Sequence, residues 1–276
     1  MEEVRNQALY DLGPRIPEVS FDQFKAAVLL HVDNAKLEQV YDALKKDGEL
    51  SDEGWIGFKF DKAKSQRVRR VPVQGQAEQS GQGQVRQRST LCRRKGRIPR
   101  VLEHTQEATG KPPLITFSST PSKGLKSEDA HGGYIADINA LLVDTAAVGD
   151  QAGKEQFECD IVMTGEFKKV VNDSDIDDNI SKLVGNINHL MGSDPTRGFA
   201  YGLTIEHNDT RFWFCSRSHI FVTEQLDLQK NIKDVIYFVM ALGSASKEQL
   251  GFDPTVRRIK RSSGSSKHLQ GQVLIG

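Results

Sequence analysis

Apolar positions along the chain change their period three times, and those changes mark its organisation. After Ser20, Phe21, Phe24, Val28 and Leu29 recur at helical spacing, with Ser20 placed to cap the helix. A second helix is predicted from about 35 to 46, with Leu37, Val40, Tyr41 and Leu44 on one face and Gly48 as its stop. Trp55, Phe58 and Phe60 follow as packing residues, so residues 1–61 read as a small helical unit.

From 62 to 112 no apolar period survives. Between Lys62 and Arg100 stand twelve Lys or Arg and a single acid, Glu78, in a Gln- and Gly-rich setting. Such a stretch buries too little to offset its ordering entropy, so it reads as an irregular, basic linker. Its clusters, Arg67-Arg69-Arg70 and Arg93-Arg94-Lys95-Arg97, have the composition of a nucleic-acid contact or a nuclear import signal. No aromatic residue is interleaved to stack on bases, which favours a solvated linker.

From 113 to 256 the pattern is that of an α/β domain. Residues 135–143 alternate as a strand, with Ala136, Ile138, Ala140 and Leu142 on one face and Asp137 and Asn139 on the other. A second strand, DIVMTGEFKK (160–169), turns Ile161, Met163, Gly165 and Phe167 one way and Glu166 and Lys168 the other. Ile176, Ile180, Leu183, Val184, Ile187, Leu190 and Met191 then form the apolar stripe of a helix over 174–191. Asp173 or Ser174 can cap it, Asp175, Asp177 and Asp178 suit its positive N-terminal end, and Gly192 closes it. Strands over 199–206 and 210–216 are joined by His207-Asn208-Asp209, which predicts a hairpin. A helix over about 227–242, a short helix closed by Gly251 with Pro254 beyond, and a loose basic tail from 257 to 276 complete the chain.

Composition narrows the class. The 37 basic and 37 acidic residues cancel, so any attraction to nucleic acid must be local. Three cysteines (Cys92, Cys159, Cys215) match no zinc spacing and read as reduced thiols. The first residues lack the basic and apolar regions of a secretion signal, and no apolar run is long enough to cross a bilayer. A mean hydropathy of -0.48 fits a chain that is only partly packed. The expectation is a soluble intracellular protein, cytoplasmic or nuclear, with no membrane partner.

Candidate chemistry gathers at Glu166 and Lys168. A solvated ion pair there would contribute at most about 1 kcal/mol. The alternative is half of a metal-dependent phosphodiester-cleaving site. Asp160 shares the face of Glu166, but six residues of extended chain span about 20 Å, too far for one ion. Asp137, on the preceding strand, is the better partner because paired strands lie about 4.8 Å apart. Carboxylates of Asp137 and Glu166 suit Mg²⁺, which keeps several waters, while Lys168 would orient the nucleophile or stabilise phosphorane charge. His189 reads as a helix-surface residue and Asp253-Pro254 as a turn.

The order strand, strand, helix, strand, strand, with an Asp on one strand and ExK on the next, resembles the core of the PD-(D/E)xK nuclease superfamily. Residues 113–260 also resemble the N-terminal, nuclease-fold region that precedes the kinase domain in the fungal-type protein kinase family. The Asp137 strand, GEFK (165–168), HLMGSDPTRGFAYGLTIEHNDTRFWFCSRSHIF (189–221) and ASKEQLGFDPTVRR (245–258) carry that resemblance. VSFDQFKAAVL and EGWIGF near the start are similar to that family too. The pattern departs from it where the Gln/Arg-rich run replaces a helix with an acidic residue after EGW, and where Ala136 stands in place of a Pro. No HRD, DFG, VAIK-type lysine or Gly-rich phosphate loop is present, so kinase activity is not expected of this chain.

The resemblance implies an α/β, restriction-endonuclease-like core of about four strands flanked by helices, with a small helical N-terminal unit. It implies Asp137 and Glu166 as Mg²⁺ ligands, Lys168 beside them, and nucleic acid as substrate. The alternatives are a non-catalytic module of the same fold that binds nucleic acid or a protein and targets a kinase domain, and a truncated inactive copy.

Overall fold

A computed structural model of the chain describes residues 16–56, 97–118, 136–143, 158–168, 172–258 and 273–275. The readings of Phe58, Phe60, Cys92 and the Arg67 and Arg93–Lys95 clusters lie outside those residues.

Ser20 caps the first helix, α1 (Phe21–Val28), through a reciprocal box with Gln23. That arrangement satisfies donors that an unadorned helix end would leave bare. Helix α2 (Asn34–Lys46) starts at Asp33, whose side chain accepts from the Lys36 amide, and Gly48 follows it at φ 72°. Short strand β1 (Glu18–Val19) precedes these helices, and the pair β2 (Leu50–Ser51) and β3 (Gly54–Trp55) follows them.

Helix α3 (Arg97–Thr109) corrects the reading of 62–112 as irregular throughout. Val101, Leu102 and Thr105 give it a buried face, and Pro99 sits in the first turn, where no hydrogen bond is lost. His104 fastens it to α2, with Nε2 3.0 Å from Asp47 and Nδ1 2.9 Å from Glu107.

Strands β4 (Ile115–Ser118), β5 (Ile138–Leu142) and β6 (Ile161–Lys168) form an antiparallel meander. Helix α4 (Asp173–Ser193) then returns the chain to β7 (Phe199–Glu206), which runs parallel to β6. Asn172 caps α4, where Asp173 or Ser174 was expected. Strand β8 (Asp209–Ser216) closes the predicted hairpin, with His207 at φ 58° in the turn. After β9 (Ile220–Thr223) and β10 (Leu226–Asp227), helix α5 (Ile232–Ser244) crosses back. The main sheet thus has 8 strands in the order β1-β9-β8-β7-β6-β5-β4, with β10 on β8. It is larger than the expected core of about four strands because β4 adds to one edge and β9, β1 and β10 add to the other.

Strand parity assigns the two faces. Phe24, Val40, Leu44, Tyr201, Phe212 and Phe238 belong to one continuous core that draws on α1, α2, α3 and α5. Phe212 and Phe238 stack at 4.2 Å, and Tyr201 donates to the Val28 carbonyl at 2.6 Å. The described part of the 1–61 unit therefore shares its core with the sheet. On the other face α4 packs Leu183 and Ile187 against Ala200, Trp213 and Cys215. A register shift between Ala140 and Leu141 rotates Ile161 out of its expected parity, so it packs with Leu141 and Leu190.

Arg197, 1 % exposed, stacks 4.2 Å over Phe252 and donates to the Cys159 carbonyl at 2.9 Å. Gly251, at φ 98°, sits so close that a Cβ would lie 2.2 Å from the Phe199 carbonyl oxygen. The tail read as loose contributes two short strands, β11 (Val256–Arg258) and β12 (Val273–Ile275), paired antiparallel. Among the described residues no helix is long and apolar enough to cross a membrane. Cys159 and Cys215 are free thiols.

A shared core makes Phe24 matter to the whole molecule. Phe24→Ala is expected to lower stability by about 3–5 kcal/mol and to leave one cooperative unfolding transition in urea. A separate, early transition confined to the N-terminal helices would show two independent units.

Candidate functional site

β6 ends beneath the N-terminal half of α4, and that overlap builds the site. Strand alternation turns Thr164, Glu166 and Lys168 toward the helix; the sequence predicts only that the last two share a face. Parallel pairing sets Glu166 beside Thr204 and Lys168 beside Glu206. Asn179, Asn186, Asp175 and Asp178 come down from α4 to meet them.

Glu166 is 6 % exposed, and its carboxylate accepts from Asn186 Nδ2 at 2.9 Å. Asp137 precedes β5, in a bend, where the sequence placed it on the strand. It stands astride Glu166: its amide donates to the Gly165 carbonyl at 3.1 Å, and its carboxylate accepts from the Phe167 amide at 2.8 Å. A backbone bond before Glu166 and a side-chain bond after it fix the two acids on neighbouring segments.

Lys168 turns aside. Its ammonium hydrogen-bonds Asp178 at 2.5 Å and lies 3.7 Å from Asp175. Burial lowers its affinity for a proton, but the Asp178 hydrogen bond and the charges of Asp178 and Asp175 outweigh that and raise its pKa. Asp178 shows the converse: burial pushes its carboxyl up, and the hydrogen bonds from Lys168 and Lys182 pull it lower still. Lys168 is therefore held as a cation, which suits charge stabilisation and opposes a role as general base.

Glu206 was not singled out by the sequence. It is 3 % exposed, and Asn179 Nδ2 donates to it at 2.6 Å while also reaching the Glu166 carbonyl at 3.4 Å. Burial pushes its carboxyl up to about 7, against the pull of the Asn179 hydrogen bond and the Arg211 charge. The signal was present: FAYGLTIE ends in an acid as the preceding strand ends in ExK. Asn179 and Asn186 are seven residues apart, two helical turns on one face, inside a stripe read only for its apolar members. His189 reaches Glu158 at 3.1 Å, so it is tied to the chain before β6.

Among the described residues no group of three or more His, Cys, Asp or Glu is placed to hold a metal ion. The donors at Asp137 and Glu166 are hard oxygens, and Mg²⁺ is commonly held by one or two carboxylates with water completing its shell. Asn179 Oδ1 and Thr164 Oγ1, both fully buried, make no hydrogen bond. The two carboxylates thus fit a hard cation in kind.

The sign of the Glu206 effect follows from its raised pKa. Between its ordinary value near 4.5 and about 7 the folded state holds a proton that the unfolded state has lost. Stability from this group is therefore greatest below pH 4.5 and falls as pH rises to about 7. Glu206→Gln should remove that fall, about 3 kcal/mol in the difference between wild type and variant. Urea titrations of both proteins across this range measure it; identical pH profiles would show that Glu206 is not buried as described.

No curated protein matches the chain. No solved structure matches it either. Residues 137–272, which begin at Asp137 and include Glu166, Lys168 and Glu206, match the family model described as fungal protein kinase.

Proposed function

We propose that this chain is a nuclease-fold module of a fungal protein kinase family protein, acting as a Mg²⁺-dependent phosphodiesterase on nucleic acid. The observation that carries the reading is Asp137 held astride Glu166, with Lys168 on the same face of β6. The meander β4-β5-β6, then α4, then β7 parallel to β6 supports the resemblance to the PD-(D/E)xK core.

Each residue has a part in this reading. Asp137 and Glu166 would hold the cation. Mg²⁺ bound there would acidify a water and neutralise charge on the phosphate. Asn186 fixes the Glu166 carboxylate, so its orientation is set before substrate arrives. Lys168, kept protonated by Asp178 and Asp175, offers positive charge to the developing phosphorane.

The test is cleavage of plasmid DNA, single-stranded DNA and RNA with Mg²⁺ or Mn²⁺. The expected result is cleavage abolished by EDTA and reduced about 100-fold or more in Glu166→Gln and in Lys168→Ala. Cleavage unchanged in both variants would refute the assignment. Salt-sensitive binding without any cleavage would make the chain a non-catalytic, nucleic-acid-binding module.

A further inference from the structure

Lys168 and Lys182 approach the same atom. Lys168 Nζ is 2.5 Å and Lys182 Nζ 2.6 Å from Asp178 Oδ2. The two ammoniums come from different elements, the end of β6 and the second turn of α4 beyond its acidic start. Sharing one oxygen, they are at most about 5 Å apart, close enough to grip a single anionic oxygen between them. Their side chains are 23 % and 28 % exposed, so both are half-sheltered yet reachable.

Register makes this arrangement informative. The carboxylate paired with Lys168 on the neighbouring strand is Glu206, yet Glu206 takes its hydrogen bond from Asn179. Lys168 is drawn instead to an oxygen that already serves Lys182. Asp178 between the ammoniums and Asp175, 3.7 Å from Lys168, balance the two positive charges, so an incoming anion can reach both ammoniums only by displacing Asp178.

We propose that Lys182 is a second phosphate-binding residue beside Lys168, and that Asp178 is an internal counterion which a backbone phosphate of nucleic acid displaces. The proposal rests on the phosphodiesterase reading for its choice of substrate, but it concerns binding and needs no metal. A phosphate oxygen would accept from both ammoniums, and Asp178 would turn toward solvent, where its side chain is already 42 % exposed. Lys182→Arg keeps the charge and reaches as far.

The experiment measures binding of a fluorescently labelled oligonucleotide to the full chain by anisotropy, in EDTA, over a range of salt concentrations. Lys182→Ala should weaken binding about fivefold to tenfold at 0.1 M salt and lower the slope of log K against log salt by about 1. Lys182→Arg should restore both. Asp178→Asn, which removes the competing charge, should bind more tightly than wild type. Circular dichroism checks that each variant is folded. An unchanged affinity and slope in folded Lys182→Ala, or no binding by wild type, overturns the proposal. If Asp178→Asn does not fold, the Lys182 pair of variants decides alone. Loss of metal-dependent cleavage with this binding pattern intact would instead count against the phosphodiesterase reading.

Discussion

A carboxylate taken out of water must find a donor, and two of them lie under one helix in this protein. Glu166 and Glu206 are buried on the same sheet face, and their donors, Asn186 and Asn179, both project from α4. An unpaired buried polar group costs roughly 1–3 kcal/mol, and an unpaired charge costs more. The helix therefore cannot slide or rotate on the sheet without stranding at least one acid. Its apolar stripe, Leu183 and Ile187 over Ala200 and Trp213, supplies attraction without direction; the two amides supply the register. Lys168 is fixed by the same docking, because its partner Asp178 lies on α4 as well.

Seen this way, the site has one mechanical support on one side and a backbone clasp on the other. Asp137 is held by bonds to residues on either side of Glu166. The backbone of β6 thus clasps Asp137, while an amide from α4 orients Glu166. Far from it, Arg197 stacked on Phe252 and the close approach of Gly251 to Phe199 give the SDPTRG and GFDP segments a packing role. The block that makes the family resemblance most specific is explained there by close contact, without chemistry.

Local signals in the sequence carried a good part of this. The Ser20 cap, the α4 stripe, the β7–β8 hairpin and the shared face of Glu166 and Lys168 all follow from spacing between near neighbours. What failed to show depended on distant partners or on a dominant composition. Helix α3 was hidden by the basic, Gln-rich run it emerges from, although Ile98, Val101, Leu102 and Thr105 have helical spacing. The acid that ends FAYGLTIE marks Glu206, but nothing local shows that this strand end is buried and not solvated. Lys168 was expected near Glu166, and only the seating of α4 could reveal that Asp178 holds it. The parity slip at Ile161 came from a bulge that alternation alone cannot predict.

Asp137 and Glu166 are proposed to act as one pair toward a hard cation. Crystals of the full chain soaked in Mn²⁺ and measured for anomalous scattering address that pair directly. The result predicted is one anomalous peak bridging the two carboxylates, with metal–oxygen distances of about 2.1 Å. A peak elsewhere, or none at Asp137 and Glu166 at saturating Mn²⁺, would contradict it.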